Sequence, residues 1–284
     1  MKLTILAMAT GIYLSQGAYA ACPITKDFLD KDNAVQNLTL NEKISCLASE
    51  LPKVRDGIAF TEISNTLRSG ELSAQDVRGV YETLLDELSK PNKEAYHTSF
   101  LILALAEVAR VDRITPFLSK VEREKLVSIA IKALTDVENY TGFDERVGYI
   151  HQIAHAADLV LQLSLNDAID TDSLQALSTA IQQAINPSST HFYHYGEPDR
   201  LVRATVYLML RESLTSDYWK LWLTDAAKPP KATWQDAYGN NEGLAALHNT
   251  QSFFNRLLLW TSDAQNPKLK AINEQVLLHL KAIR

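Results

Sequence analysis

The chain has 284 residues, 28 of them basic and 34 acidic, for a formal net charge of −6 at pH 7. That balance argues against a nucleic-acid binder or a protein held to an anionic membrane surface. A hydrophobic content of 46% is ample for a substantial core, and two cysteines are too few for a disulfide-rich scaffold.

Residues 1–20 read as a secretory signal peptide. Lys2 supplies a short positive start, Leu3 to Leu14 an apolar run too short to span a bilayer, and Ala18-Tyr19-Ala20 a small-x-small cleavage site. Cleavage after Ala20 would leave Ala21-Cys22-Pro23 at the mature end. Lipid attachment at Cys22 would favour an aliphatic residue at position 19, where Tyr19 stands. A periplasmic or secreted protein is therefore expected, with 27 basic against 34 acidic residues and a mature charge of −7. No later apolar run is long enough for an integral membrane segment. Cys22 and Cys46 are expected to form a disulfide in an oxidising compartment, the alternative being two free thiols. A loop of that size contributes about 3 kcal/mol.

From residue 21 to 284 the chain reads as a single all-α domain. Apolar residues recur at three- and four-residue spacing, without sustained alternation. Helices are expected over 40–51, 55–69, 73–89, 94–110, 121–138, 147–165, 172–185, 199–214, 216–226, 241–263 and 268–283. Ser73-Ala74-Gln75-Asp76 and Thr171-Asp172-Ser173 offer capping oxygens, and Pro52, Pro91, Pro116, Pro187 and Pro198 punctuate the gaps. Similar lengths and short links suggest antiparallel pairs stacked as a HEAT-like α-solenoid, or a compact helical array. Two longer links stand out. Residues 186–199 carry His191, Phe192, Tyr193, His194, Tyr195 and Glu197, and residues 224–240 carry Trp234 and Tyr238. Aromatics and titratable groups in long loops serve either binding or packing onto the helices.

The expected helix over 147–165 holds the densest chemistry. At about 100° per residue, His151, His155 and Asp158 fall within an arc of about 60°. Ile150, Ile153, Ala154, Ala157 and Leu161 lie beside them, on a helix apolar nearly all round. Polar groups in such a place are paired, bind something or line a cavity. The trio could give two nitrogens and one oxygen to a divalent metal such as zinc, leaving positions open for water or substrate. His191, His194 and Glu197 are candidates to complete such a site. Arg146 and Tyr149 stand just before it as candidate supporting groups. Two other readings compete: a structural cluster in which Asp158 accepts from a histidine, and a metal-free acid/base or ligand site. Pairing with a charged histidine would make stability fall as pH rises. Arg200, beside Asp199 and with Arg203 a turn on, could clamp an anion or form a helix-start salt bridge. Asn249, with His248 and Gln251, could line the same groove or tie two helices together. Ser188 and Ser189 near His191 lack the strand-turn-helix elbow of a serine nucleophile.

Four blocks are similar to an uncharacterised bacterial family, domain of unknown function 2785. They are Asp56-Gly57-Ile58-Ala59-Phe60 with Leu67 to Leu72, Ser99 to Ala104 with Pro116-Phe117-Leu118, Arg146 to Leu159, and Asp199-Arg200-Leu201 with Asn249 to Phe254. The third resembles the family's Gly-Trp-x-His-x-x-x-His-x-x-Asp run, with Tyr149 in place of the Trp. The likeness spans about residues 50–260. It implies an all-helical, repeat-like fold and brings no established activity. The expectation is an exported binding protein for a protein, peptide or glycan ligand, with the His/His/Asp cluster in its groove wall or core. A metal-dependent hydrolase built on that cluster is the rival, so enzymatic status stays open.

Overall fold

The computed structural model describes residues 22–24, 38–91 and 93–283. Residues 1–20, expected to be a signal peptide, and the expected cleavage site after Ala20 lie outside them. In chain order come α1 (Leu40–Ser45), a 3-10 turn (Cys46–Ala48), α2 (Pro52–Val54), a π-turn (Arg55–Phe60), α3 (Thr61–Ser69), α4 (Ala74–Ser89), α5 (Ala95–Ile114) and α6 (Lys120–Thr135). A hairpin of β1 (Phe143–Asp144) and β2 (Gly148–Tyr149) follows, then α7 (Gln152–Ser164), α8 (Thr171–Ile185), α9 (Glu197–Met209) and α10 (Ser216–Ala226). A 3-10 turn (Trp234–Gly239), α11 (Asn241–Ser262) and α12 (Pro267–Ala282) complete the series.

Local chemistry sets these boundaries. Thr39, Ser73 and Ser119 close capping boxes, each accepting from a backbone N–H while an acid three residues on binds back. Asp170 rather than Thr171 caps α8. The helix expected over 40–51 stops at Ser45 and tightens into a 3-10 turn, and the one over 55–69 opens as a π-turn behind Pro52.

Residues 147–151 depart from expectation: they are not helical. Phe143 pairs with Tyr149 and Asp144 with Gly148 in an antiparallel hairpin. Asp144 Oδ1 accepts from the N–H groups of Arg146 and Val147, which favours a turn over a helix. Gly148 takes φ +73°, a conformation that suits glycine. His151 then enters α7 at φ 52°, ψ 34°, the one left-handed non-glycine among the described residues.

Packing arranges the helices in two rows. In one, α5 lies against α7, α7 against α9 and α9 against α11; in the other, α6 meets α8, α8 meets α10 and α10 meets α12. This is the neighbour pattern of stacked helix pairs. An apolar core cluster runs through both rows. Helix α7 packs on α5, α6, α8 and α9, so Ile153, Ala156, Leu159, Val160 and Leu163 are all buried. Among the described residues no helix is long and apolar enough to cross a membrane.

Two covalent or ionic braces hold the first segments. Cys22 and Cys46 form a disulfide, as expected, with Cα atoms 4.5 Å apart. Arg55, fully buried, lies over the rings of Tyr96 and Phe100 at 4.9 and 4.8 Å. Its Nε donates to Asp56 Oδ1 at 2.7 Å, Nη1 to the Ser49 carbonyl at 3.3 Å, and Nη2 to the carbonyls of Val147 at 2.7 Å and Tyr149 at 3.3 Å.

Replacing both cysteines by serine is expected to cost about 3 kcal/mol in chemical denaturation, the loop-entropy contribution of the crosslink; an unchanged midpoint would contradict it. Arg55→Leu removes the donor to three carbonyls, those of Ser49, Val147 and Tyr149, and leaves Asp56 without its partner. A loss of about 3 kcal/mol is expected, with faster proteolysis in residues 143–149.

Candidate functional site

A cleft of about 460 Å³ opens at the start of α7 and α9, on the flank of α5. Asp56 of the π-turn, Phe100 and Leu103 of α5, Tyr149 of the hairpin, His151, Ala154 and His155 at the head of α7, and Tyr195, Gly196, Asp199 and Arg200 line it. All four blocks singled out by family resemblance thus contribute to one cavity.

Each functional side chain has a local reason for its place. His155 is buried one turn into α7, with Nδ1 2.7 Å from Ser99 Oγ and 3.2 Å from the Ser99 carbonyl on α5. With the Nδ1 proton given to that carbonyl, Nε2 carries a lone pair and has no protein partner among the described residues. Phe100 stands edge-on to the same ring, centroids 4.9 Å apart. His151 sits at the left-handed N-cap of α7, against Tyr149 at 4.5 Å and His155 at 5.9 Å between ring centroids. Its Nε2 is buried without a hydrogen bond. A backbone strained in this way, holding a titratable ring at a cleft, is a common mark of functional positions.

The trio expected on one helix face is divided in the structure. His151 is not on the helix, and Asp158 pairs with Arg200 rather than with either histidine. Burial raises the Asp158 carboxyl, and the Arg200 and Arg203 guanidiniums draw it back in part. Burial, then the neighbouring His151, pushes His155 down to about 3. Burial and the Arg200 charge also lower His151, while backbone hydrogen bonding at Tyr195 pulls the other way. Both imidazoles are neutral at neutral pH. Burial raises Asp56, and Arg55 pulls it down in part.

The remaining expected residues fall outside this cleft. Arg146 is exposed and reaches Glu50 at 3.1 Å. Asn249 is buried, accepting from Tyr193 N–H at 2.7 Å and donating to the His191 carbonyl at 3.0 Å, so it ties the 191–193 loop to α11. His191 stacks on Tyr140 and His194, and its Nε2 is buried without a partner. Glu197 is buried at the head of α9. Its Oε2 accepts from Tyr195 N–H at 2.8 Å, and its Oε1 has no partner. A Cβ on Gly142 would stand 2.7 Å from that Oε1 and 2.4 Å from the Tyr195 ring, so only glycine permits this close approach. His194 lines a second depression of about 260 Å³, with Tyr193, Ser252, Asn255 and Arg256. Gly196 and Asp199 form part of both walls.

Periodicity gave no reason to place Asp56, Ser99, Phe100 or Asp199 at a site. Their signal is that they stand in the blocks of family resemblance, and for Asp199 also its place beside Arg200. Among the described residues, no group of three His, Cys, Asp or Glu side chains is arranged as a metal cage.

The pH dependence takes the opposite sign from that of a charged histidine held by Asp158. Below about pH 6.5 unfolded histidines bind protons that folded His155, pushed down to about 3, refuses, and the lowered His151 acts in the same direction. Stability is therefore expected to fall as pH drops below about 6.5, by a few kcal/mol when fully developed. Thermal melts should show this loss reduced in His155→Gln. Superimposable melts from pH 7 to 5 would contradict it.

The family described as protein of unknown function, DUF2785, matches residues 84–259. That stretch carries three walls of the cleft and leaves out the π-turn with Asp56. No curated protein and no solved structure matches the chain. With the match covering well over half its length, the chain belongs to the DUF2785 family of proteins of unknown function.

Proposed function

We propose that this is an exported binding protein that receives its ligand in the cleft between the hairpin, α5, α7 and α9. The observation that carries the reading is His151. Strained backbone holds a neutral imidazole at the cleft wall, and its buried Nε2 has no protein partner. A ring that served packing alone would need neither the left-handed φ nor the unsatisfied nitrogen. The disulfide supports an oxidising destination, periplasmic or extracellular, with a signal peptide removed after Ala20. The ligand comes from the protein, peptide or glycan class, and the acidic balance disfavours nucleic acid.

A second reading has one observation in its favour. Two neutral imidazoles with ring centroids 5.9 Å apart, the Nε2 of His151 buried without a partner, could hold a divalent ion such as zinc and activate water for hydrolysis. Asp158 would have to leave Arg200 to join them.

Thermal shifts with pooled oligosaccharides, pooled short peptides and zinc chloride, added separately, test both. The expected result is a rise of several degrees with one organic pool, absent in His151→Gly. That variant relieves the backbone and is expected to stay within about 1 kcal/mol of the parent. No response to any pool, or a response kept by the variant, would remove the cleft from consideration. About one equivalent of zinc by elemental analysis, lost in His155→Ala, would favour the hydrolase.

A further inference from the structure

The charges around the cleft are matched one by one. Asp56 is bonded to Arg55 at 2.7 Å, Asp199 faces Arg256 at 3.5 Å, and Arg200 holds Asp158. No ionised group on the wall lacks a counter-charge behind it. The two imidazoles add none at neutral pH. A charged ligand would have to break one of these pairs or stand beside an unhelpful field. Arg200 and the buried Arg55 also act against a bare cation at the imidazoles.

What the wall offers is a dense set of planar hydrogen-bonding groups, several held by a partner and two with free nitrogens. Carboxylate oxygens and imidazole lone pairs accept, guanidinium N–H groups and tyrosine hydroxyls donate, and a ligand hydroxyl can do both. Above this polar floor stands an apolar rim. Tyr149, Tyr195 and Phe143 are 47%, 38% and 38% exposed. Phe143 touches the other two, with centroids 5.2 and 6.2 Å apart. Three contiguous exposed rings mark a contact surface. Their electron-rich faces suit a ligand that presents C–H groups on one side and hydroxyls on the other.

From the matched charges, the mixed donor–acceptor floor and the aromatic rim, we infer that the cleft takes a neutral carbohydrate. This rests on the proposed binding role of the same cleft. A second depression shares Gly196 and Asp199 with this one. Together the two have room for about two to three sugar units. A peptide is the poorer match. The hairpin strands are two residues long, which leaves little edge for an added strand.

Saturation-transfer NMR and calorimetry with defined probes test the assignment. Neutral probes are cellotetraose, chitotetraose and maltotetraose. Charged sugars are tetragalacturonate and tetraglucosamine, and the peptides are tetra-alanine, tetralysine and tetraglutamate. At least one neutral tetrasaccharide is expected to bind, with saturation strongest on the ring-face protons. Its affinity should change less than about two-fold between about 0.01 and about 1 M salt. Tyr149→Ala should weaken it at least about ten-fold while far-UV circular dichroism stays unchanged. Preferential binding of a charged sugar or a peptide, dependent on Tyr149, would overturn the carbohydrate assignment and keep the cleft as a ligand site. Sugar binding that survives both Tyr149→Ala and Tyr195→Ala would overturn it too, since the groove would not be its seat. Silence from every probe would end both readings.

Discussion

A guanidinium sealed from water must have its charge and its donors answered by protein, and Arg55 organises the first half of the molecule by that demand. Its partners lie in distant stretches of chain: Ser49 after the 3-10 turn, Asp56 in the π-turn, the rings of Tyr96 and Phe100 on α5, and the carbonyls of Val147 and Tyr149. Carbonyls spent on an arginine are not available to a helix. The hairpin therefore cannot be drawn into α7, and the turn into that helix falls to His151. The same interaction holds both Asp56 and the Tyr149 backbone at the wall of the cleft. The cleft is in this sense the space left over when one buried charge is satisfied.

Electrostatics inside that space follow from the neighbours. Arg55 and Arg200 both disfavour a proton on His155, and burial dominates. The imidazoles remain acceptors as well as donors, which a protonated pair would not be. Asp158 faces Arg200, leaving His155 to Ser99. The wall is polar without being charged overall, an arrangement that favours geometry over field strength in choosing a partner.

Much of the helical frame could be read from residue spacing, because apolar period and capping act locally. Ser73 with Asp76 closes the box its spelling suggests, and α7 is buried on all sides as its composition demands. The failure at residues 147–151 is equally local. Gly142, Asp144 and Gly148 spell a tight hairpin, and apolar periodicity drew attention past them. That Ser99 meets His155 and that Asp56 and Asp199 line the same cleft was not legible by any period, since it depends on which helices become neighbours. Glu197 and Asn249 illustrate the same limit. Glu197 comes from a suggestive loop and Asn249 from a helix, yet the fold turns both inward as struts.

The π-turn at Arg55–Phe60 carries a last implication. A π-turn closes a wider ring than an α-turn, in effect one extra residue threaded into a helix. Loss of a single codon there would restore the ordinary winding and swing everything upstream by about 100° relative to α3. Arg55 would then leave its aromatic slot and Asp56 its opening, although no contact-making side chain had been altered. In this segment the count of residues matters as much as their identity, and an in-frame deletion would act as a change of phase.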